Sequence, residues 1–253
     1  MAIIPGMDRL LSLVVAILLV PVVSSAADKM TKETFGSGGR TRTYYLLVPE
    51  AAKKAGSPPL VVLLHGSGRD GKSLVEKWEP LARKEGIVIV GPDALSSDGW
   101  RVPEDGPDFL YDLIDMLAIQ LEIDRRRVYL FGHSAGAGHA LVMGLLESEY
   151  FAGVAIHAGA LNQSAFPLIE RAPRKTPIGI WIGTNDALFP LKVVRATRDA
   201  LKAQGFEPQM NEINGHTHWY YDRAPEINKQ AWAFLRQHTL AGEPKYERYN
   251  FSR

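Results

Sequence analysis

VYLFGHSAGAGHALVMGLL, residues Val128 to Leu146, is the stretch that decides the fold. Val128, Leu130 and Phe131 read as a buried strand, and Leu141, Leu145 and Leu146 recur at helical spacing. Between them stands Gly132-His133-Ser134-Ala135-Gly136. A strand, a sharp turn and a helix around G-x-S-x-G form the setting in which such a serine does chemistry. The turn strains the backbone at Ser134 and lifts its hydroxyl out at the carboxyl edge of the sheet. Bulk at Gly132 or Gly136 would collide where strand and helix cross, and Gly138 keeps the helix close to the sheet. Ser134 is therefore the candidate nucleophile; the plainer reading is a glycine-rich helix start that binds an anion or turns the chain.

Working outward, apolar runs alternate with helical patterns. Strands are expected at Tyr44–Val48, Leu60–Leu64, Ile87–Val90, Gly153–Ile156, Ile178–Ile182 and Met210–Ile213. Helices are expected at Leu74–Lys84, Phe109–Leu121, Leu191–Ala203 and Ile227–Leu235. The continuous run Leu60–Leu64 suits a parallel strand buried on both faces. This alternation predicts an α/β fold with a mostly parallel central sheet and helices on both faces. Polar, glycine-rich Asp28–Arg42 reads as a loop or a weak edge hairpin. The connection between Ile156 and Ile178 is too short for a large lid domain, so an open site suited to bulky or polymeric substrates is expected.

The chain has 253 residues, a formal net charge of +1 and no cysteine. That length suits one large α/β domain. Acidic and basic residues are mixed, and no basic stripe or acidic block points to nucleic acid or a membrane surface. Disulfides and thiolate metal sites are excluded. Arg9 precedes an apolar run from Leu10 to Val23, closed by Ser24-Ser25-Ala26-Ala27. A charged start, a short apolar middle and a small-residue end form the pattern of a secretory signal peptide, and the run is short for a membrane span. The expected organisation is a signal peptide over 1–26, a single domain over 27–253, and a disordered tail beyond about 241. The mature protein is then secreted or periplasmic, without stable membrane insertion.

A serine hydroxyl needs a base, and the base needs an orienting acid. In strand-turn-helix hydrolases the order along the chain is serine, acid, histidine. Asp186 lies in Gly183-Thr184-Asn185-Asp186-Ala187-Leu188-Phe189-Pro190, the loop where the acid belongs. It is also a plausible N-cap for the following helix; Asp199 and Asp222 are its competitors. After the last strand comes Asn214-Gly215-His216-Thr217-His218-Trp219-Tyr220-Tyr221. One of His216 and His218 is the base, and spacing alone does not choose. His65, His133, His139, His157 and His238 fit the order poorly. An oxyanion needs aimed donors: the backbone N–H of Ala135, and a second from His65-Gly66-Ser67-Gly68-Arg69, either Ser67 or Gly68. His65 reads as a structural hydrogen-bonder, and Trp100, in Ser96–Pro107, as a candidate pocket residue. Nothing in the sequence calls for a cofactor or a metal.

Strand-HGSG, strand-GHSAG-helix, GTND followed by FP, and GHTHWYY together resemble the α/β-hydrolase superfamily, from about Tyr44 to about Leu240. Within it the chain is similar to the secreted polyhydroxybutyrate-depolymerase-like and feruloyl or acetylxylan esterase group. The resemblance implies carboxylic ester hydrolysis by an acyl-enzyme route without a cofactor, on an ester that is polymeric or carbohydrate-linked. It also implies His218, the histidine directly before the aromatic run, as the base. The chain departs from the depolymerase-like group in having neither cysteines nor a GHTWPG-like histidine loop. Two other readings stand beside this one: a prolyl-oligopeptidase-type peptidase on the same fold, and a non-catalytic binding protein.

Overall fold

The computed structural model describes residues 29–246, so the expected signal peptide lies outside the described residues. Eight strands form one sheet in the order β1-β2-β4-β3-β5-β6-β7-β8. They are β1 (Thr31–Ser37), β2 (Arg40–Leu47), β3 (Leu60–Leu64), β4 (Val88–Pro92), β5 (Val128–His133), β6 (Gly153–His157), β7 (Ile178–Gly183) and β8 (Gln209–Ile213). From β4 across to β8 every neighbouring pair is parallel, while β1 and β2 pair antiparallel and β2 joins β4 antiparallel. The segment left open between loop and hairpin is a hairpin. Gly38 and Gly39, both at positive φ (57° and 72°), make its two-residue turn.

The helices are α1 (Glu50–Lys54), α2 (Gly71–Glu85), α3 (Pro107–Leu121), α4 (Ala135–Leu146), α5 (Pro167–Arg171), α6 (Leu191–Ala203) and α7 (Ala224–Leu235). Alternate side chains of each buried strand point to opposite faces of the sheet. Leu60, Val62, Leu130 and Ile156 pack in one apolar cluster with residues of α3, α4 and α6. Val61, Leu63, Tyr129 and Phe131 pack in the other, with α2 and α7. The predicted α/β architecture with helices on both faces is what the structure has. Between β6 and β7 lie only a 3-10 turn at Gln163–Ala165 and the five-residue α5. Among the described residues this connection holds no lid domain. Of the tail expected to be disordered, Lys245 and Tyr246 are docked. Lys245 N–H donates to Glu149 O at 3.2 Å, and the Tyr246 ring lies 4.0 Å, centroid to centroid, from Tyr111.

This topology carries the loops after β3, β5, β7 and β8 to one edge of the sheet, at the carboxyl ends of parallel strands. Open α/β sheets bind ligands at that edge.

Candidate active site

The turn after β5 is tight because backbone meets backbone there. A Cβ on Gly132 would lie 2.2 Å from Gly136 O, and one on Gly136 would lie 1.9 Å from Leu64 O. Neither carbonyl can move without breaking sheet or helix, so both positions require glycine. The cost of the turn falls on Ser134, held at φ 56° and ψ −119°. A non-glycine residue in such a region costs on the order of 1–3 kcal/mol. The turn is pinned by the Ser134 N–H, which donates to His157 O at 3.0 Å.

Three loops converge on this serine. The Ser134 hydroxyl lies 2.9 Å from His218 Nε2, and His218 Nδ1 lies 2.9 Å from Asp186 Oδ2. With Nδ1 carrying its proton toward the carboxylate, Nε2 is the acceptor facing the serine. The Asp186 carboxylate is buried, and its other oxygen accepts from the N–H groups of Leu188 and Phe189 at 2.9 and 2.8 Å. Its turn-capping and its histidine contact are thus made by the same side chain. The His218 ring is held between Phe189, nearly parallel at 5.7 Å, and His133 at 5.1 Å.

The competing residues are elsewhere. His216 turns the other way: its Nε2 lies 3.2 Å from His157 Nε2, not at the serine. Asp199 is on the outer face of α6, ion-paired with Arg198 at 2.7 Å. Asp222 lies in the 3-10 turn Tyr220–Asp222. His65 is buried at the end of β3, with Nδ1 at 2.8 Å from Gly66 O and Nε2 accepting the Ala94 N–H at 3.0 Å. Both ring nitrogens are occupied, as expected of a structural hydrogen-bonder.

The loop after β3 lies against the serine: a Cβ on Gly66 would meet Ser134 Cβ at 3.2 Å. Of the two residues considered as second oxyanion donor, Gly68 has its N–H engaged by Ser97 O at 2.7 Å. Ser67 is oriented through its hydroxyl, which donates to Asp98 O at 2.7 Å. Ala135 is the first residue of α4, where backbone N–H groups lack intrahelical partners. Trp100 borders a cavity of about 270 Å³ that Ala135 also lines.

Sequence reasoning missed a line of histidines beneath the site. His133 and His157 are register partners at the ends of β5 and β6. Their Nδ1 atoms are 3.1 Å apart, and His157 continues to His216. The available signal was that both close adjacent buried strands. Burial pushes His133 down to about 3, and a charge on His218 would push it the same way. Burial likewise takes His157 well below the usual histidine value, aided by its histidine neighbours. The line is therefore neutral near pH 7, and each contact pairs one N–H with one bare nitrogen. Among the described residues no group of three or more His, Asp or Glu side chains is placed to hold a metal ion.

Residues 61–251 match the alpha/beta hydrolase family, and the chain belongs to it. It is 25% identical over 219 residues to a poly(3-hydroxybutyrate) depolymerase of Ralstonia pickettii, covering 74% of this chain and 45% of that protein. It is 28% identical over 155 residues to a bifunctional acetylxylan esterase/xylanase of Neocallimastix patriciarum, covering 58% of this chain and 22% of that protein. The chain thus spans less than half the length of either relative. Among solved structures it superposes on a ferulic acid esterase with a TM-score of 0.67 at 18% identity, covering 82% of this chain and 98% of the other.

The buried histidines set a pH dependence. Burial also lowers His139, to about 4. In the unfolded chain both His133 and His139 take up protons near pH 6.5. The folded protein resists until about 3 and about 4. Above about pH 6.5 neither state is protonated and stability is unaffected; below it the unfolded state binds more protons and stability falls. Each group contributes a slope approaching 1.4 kcal/mol per pH unit. Urea midpoints should fall from pH 7 to pH 5, and His139→Gln should flatten that fall. An equal fall in the variant would show that His139 is not a source of it.

Proposed function

We propose that the protein is an exported serine esterase that cleaves carboxylic esters through an acyl-enzyme intermediate. The observation that carries this reading is the unbroken line from Asp186 through His218 to Ser134, with both contacts at 2.9 Å. Ser134 Oγ attacks the ester carbonyl while His218 Nε2 takes its proton. Asp186 holds the imidazole in the required tautomer and stabilises the imidazolium. The N–H groups of Ala135 and Ser67 receive the oxyanion; Ser67 is preferred because Gly68 is already engaged by Ser97. The carbon–oxygen bond to the alcohol then breaks, and the alcohol leaves with the proton from His218. Water attacks the acyl-enzyme by the same route in reverse and releases the acid and free Ser134.

The names of the relatives support an ester rather than a peptide substrate. One is called a depolymerase of a polyester, the other in part an acetylxylan esterase. An ester of a polymer or a sugar is the substrate class proposed here. The charged, apolar and small-residue segments from Arg9 to Ala27 support export with cleavage after Ala26 or Ala27. Protein recovered outside the cytoplasm should begin at Ala27 or Asp28 on N-terminal sequencing. Full-length chain held in the membrane would replace cleavage by an anchor.

The roles separate by substitution, with aryl, sugar and polyester esters assayed beside peptide amides. Ser134→Ala should lower kcat on esters by about 10⁶. Asp186→Asn should lower it by about 10⁴ through the wrong tautomer. His218→Gln should abolish turnover while His216→Gln keeps a measurable part. Loss in His216→Gln with activity kept in His218→Gln would move the base by two residues. Amides cleaved faster than esters would make the protein a peptidase.

A further inference from the structure

Outside the triad, the carboxylate of Asp105 is fully buried in the loop between β4 and α3. It pairs with the equally buried Arg42 of β2. It also accepts the N–H of Leu95 at 3.0 Å and of Arg101 at 2.9 Å. Arg42 adds a bond to Glu104 O at 2.8 Å and lies over the Phe109 ring at 3.6 Å. The backbone carbonyl of Asp105 accepts from His139 Nε2 at 2.9 Å. One ion pair thus fixes both ends of the segment 95–105 and ties it to α4.

Trp100 stands in the middle of that segment. Its indole N–H donates to His65 O at 2.8 Å. One face stacks on His139 (5.1 Å, 13° between planes), and the ring is also packed against His65 at 4.9 Å. It borders the 270 Å³ cavity together with Val102, Ala135, Val142 and Leu161. Stacked on His139, tilted against His65 and held by its N–H, the indole is a fixed wall.

The direction of the chemistry says which part of an ester this cavity meets. The leaving alcohol must reach His218, so it lies toward Phe189, which stacks on that ring. The carbonyl oxygen points to Ala135 and Ser67. The acyl chain takes the remaining side, where Ala135 borders the cavity. We infer that Trp100 is the specificity-determining wall of a pocket for a short aliphatic acyl chain, and that the Arg42–Asp105 pair is the positioning element that holds it. This inference rests on the esterase reading above.

The test is a series of p-nitrophenyl esters, acetate, butyrate, octanoate and ferulate, each measured as kcat/KM per site titrated with a fluorophosphonate. Titration and turnover of any one ester report on the esterase reading; the ratios report on the pocket. The unchanged protein should favour butyrate over octanoate and ferulate by about tenfold or more, the scale on which an apolar pocket discriminates methylenes. Trp100→Ala should raise the octanoate-to-butyrate ratio by about tenfold. Arg42→Lys keeps the charge but loses the fork; it should move the ratio the same way at normal titration. If that variant does not fold, Asp105→Asn, which keeps the shape and an acceptor oxygen, takes its place. A ratio unmoved by Trp100→Ala, or a ferulate preference in the unchanged protein, would overturn the pocket. A lower titrated fraction with an unchanged ratio in the Arg42 or Asp105 variant would leave that pair purely structural and overturn its positioning role.

Discussion

Helix α4 crosses β5 and β3 so closely that Gly132 and Gly136 leave no room for a side-chain carbon. That contact forces the backbone at Ser134 to positive φ, and the rest of the site depends on it. The turn places the hydroxyl beyond the sheet edge and opens the first N–H groups of α4 beside it. A relaxed turn would return Ser134 toward ordinary helix geometry and away from His218. The strain is carried by a large buried sheet, whose strands β3, β5, β6 and β7 are buried along their whole length.

Around this fixed serine the partners are constrained from several directions. Asp186 is locked by two backbone N–H groups and cannot swing from His218 without leaving them unpaired. His218 is clasped by Phe189 and by His133. The three histidines beneath it are held neutral by burial, so near pH 7 they supply orientation without repelling an imidazolium at His218.

The strands were legible because continuous apolar runs mark strands covered on both faces, and the observed strands differ from the expected ones mainly at their ends. Helix α7 begins at Ala224, before the expected Ile227, because Pro225 in its first turn carries no helix-stabilising apolar signal. Ser134, Asp186 and a histidine in the loop after β8 could be proposed from local pattern and chain order. The choice between His216 and His218 came from resemblance; the side chains' alternation then sets one toward Ser134 and the other toward His157. The Arg42–Asp105 pair and the Trp100–His139 stack were not legible. Their partners are separated by 63 and 39 positions and meet only through the sheet order, and neither lies on a periodic pattern.

The central claim is that Ser134 carries the acyl group between the two halves of the reaction. Mixing the protein with p-nitrophenyl butyrate, quenching with acid within the first turnover and mapping peptide masses tests it most directly. The account predicts a butyryl group on Ser134, in the peptide that contains His133 and Ala135. Turnover with no covalent adduct, or with the acyl group on another residue, would contradict it.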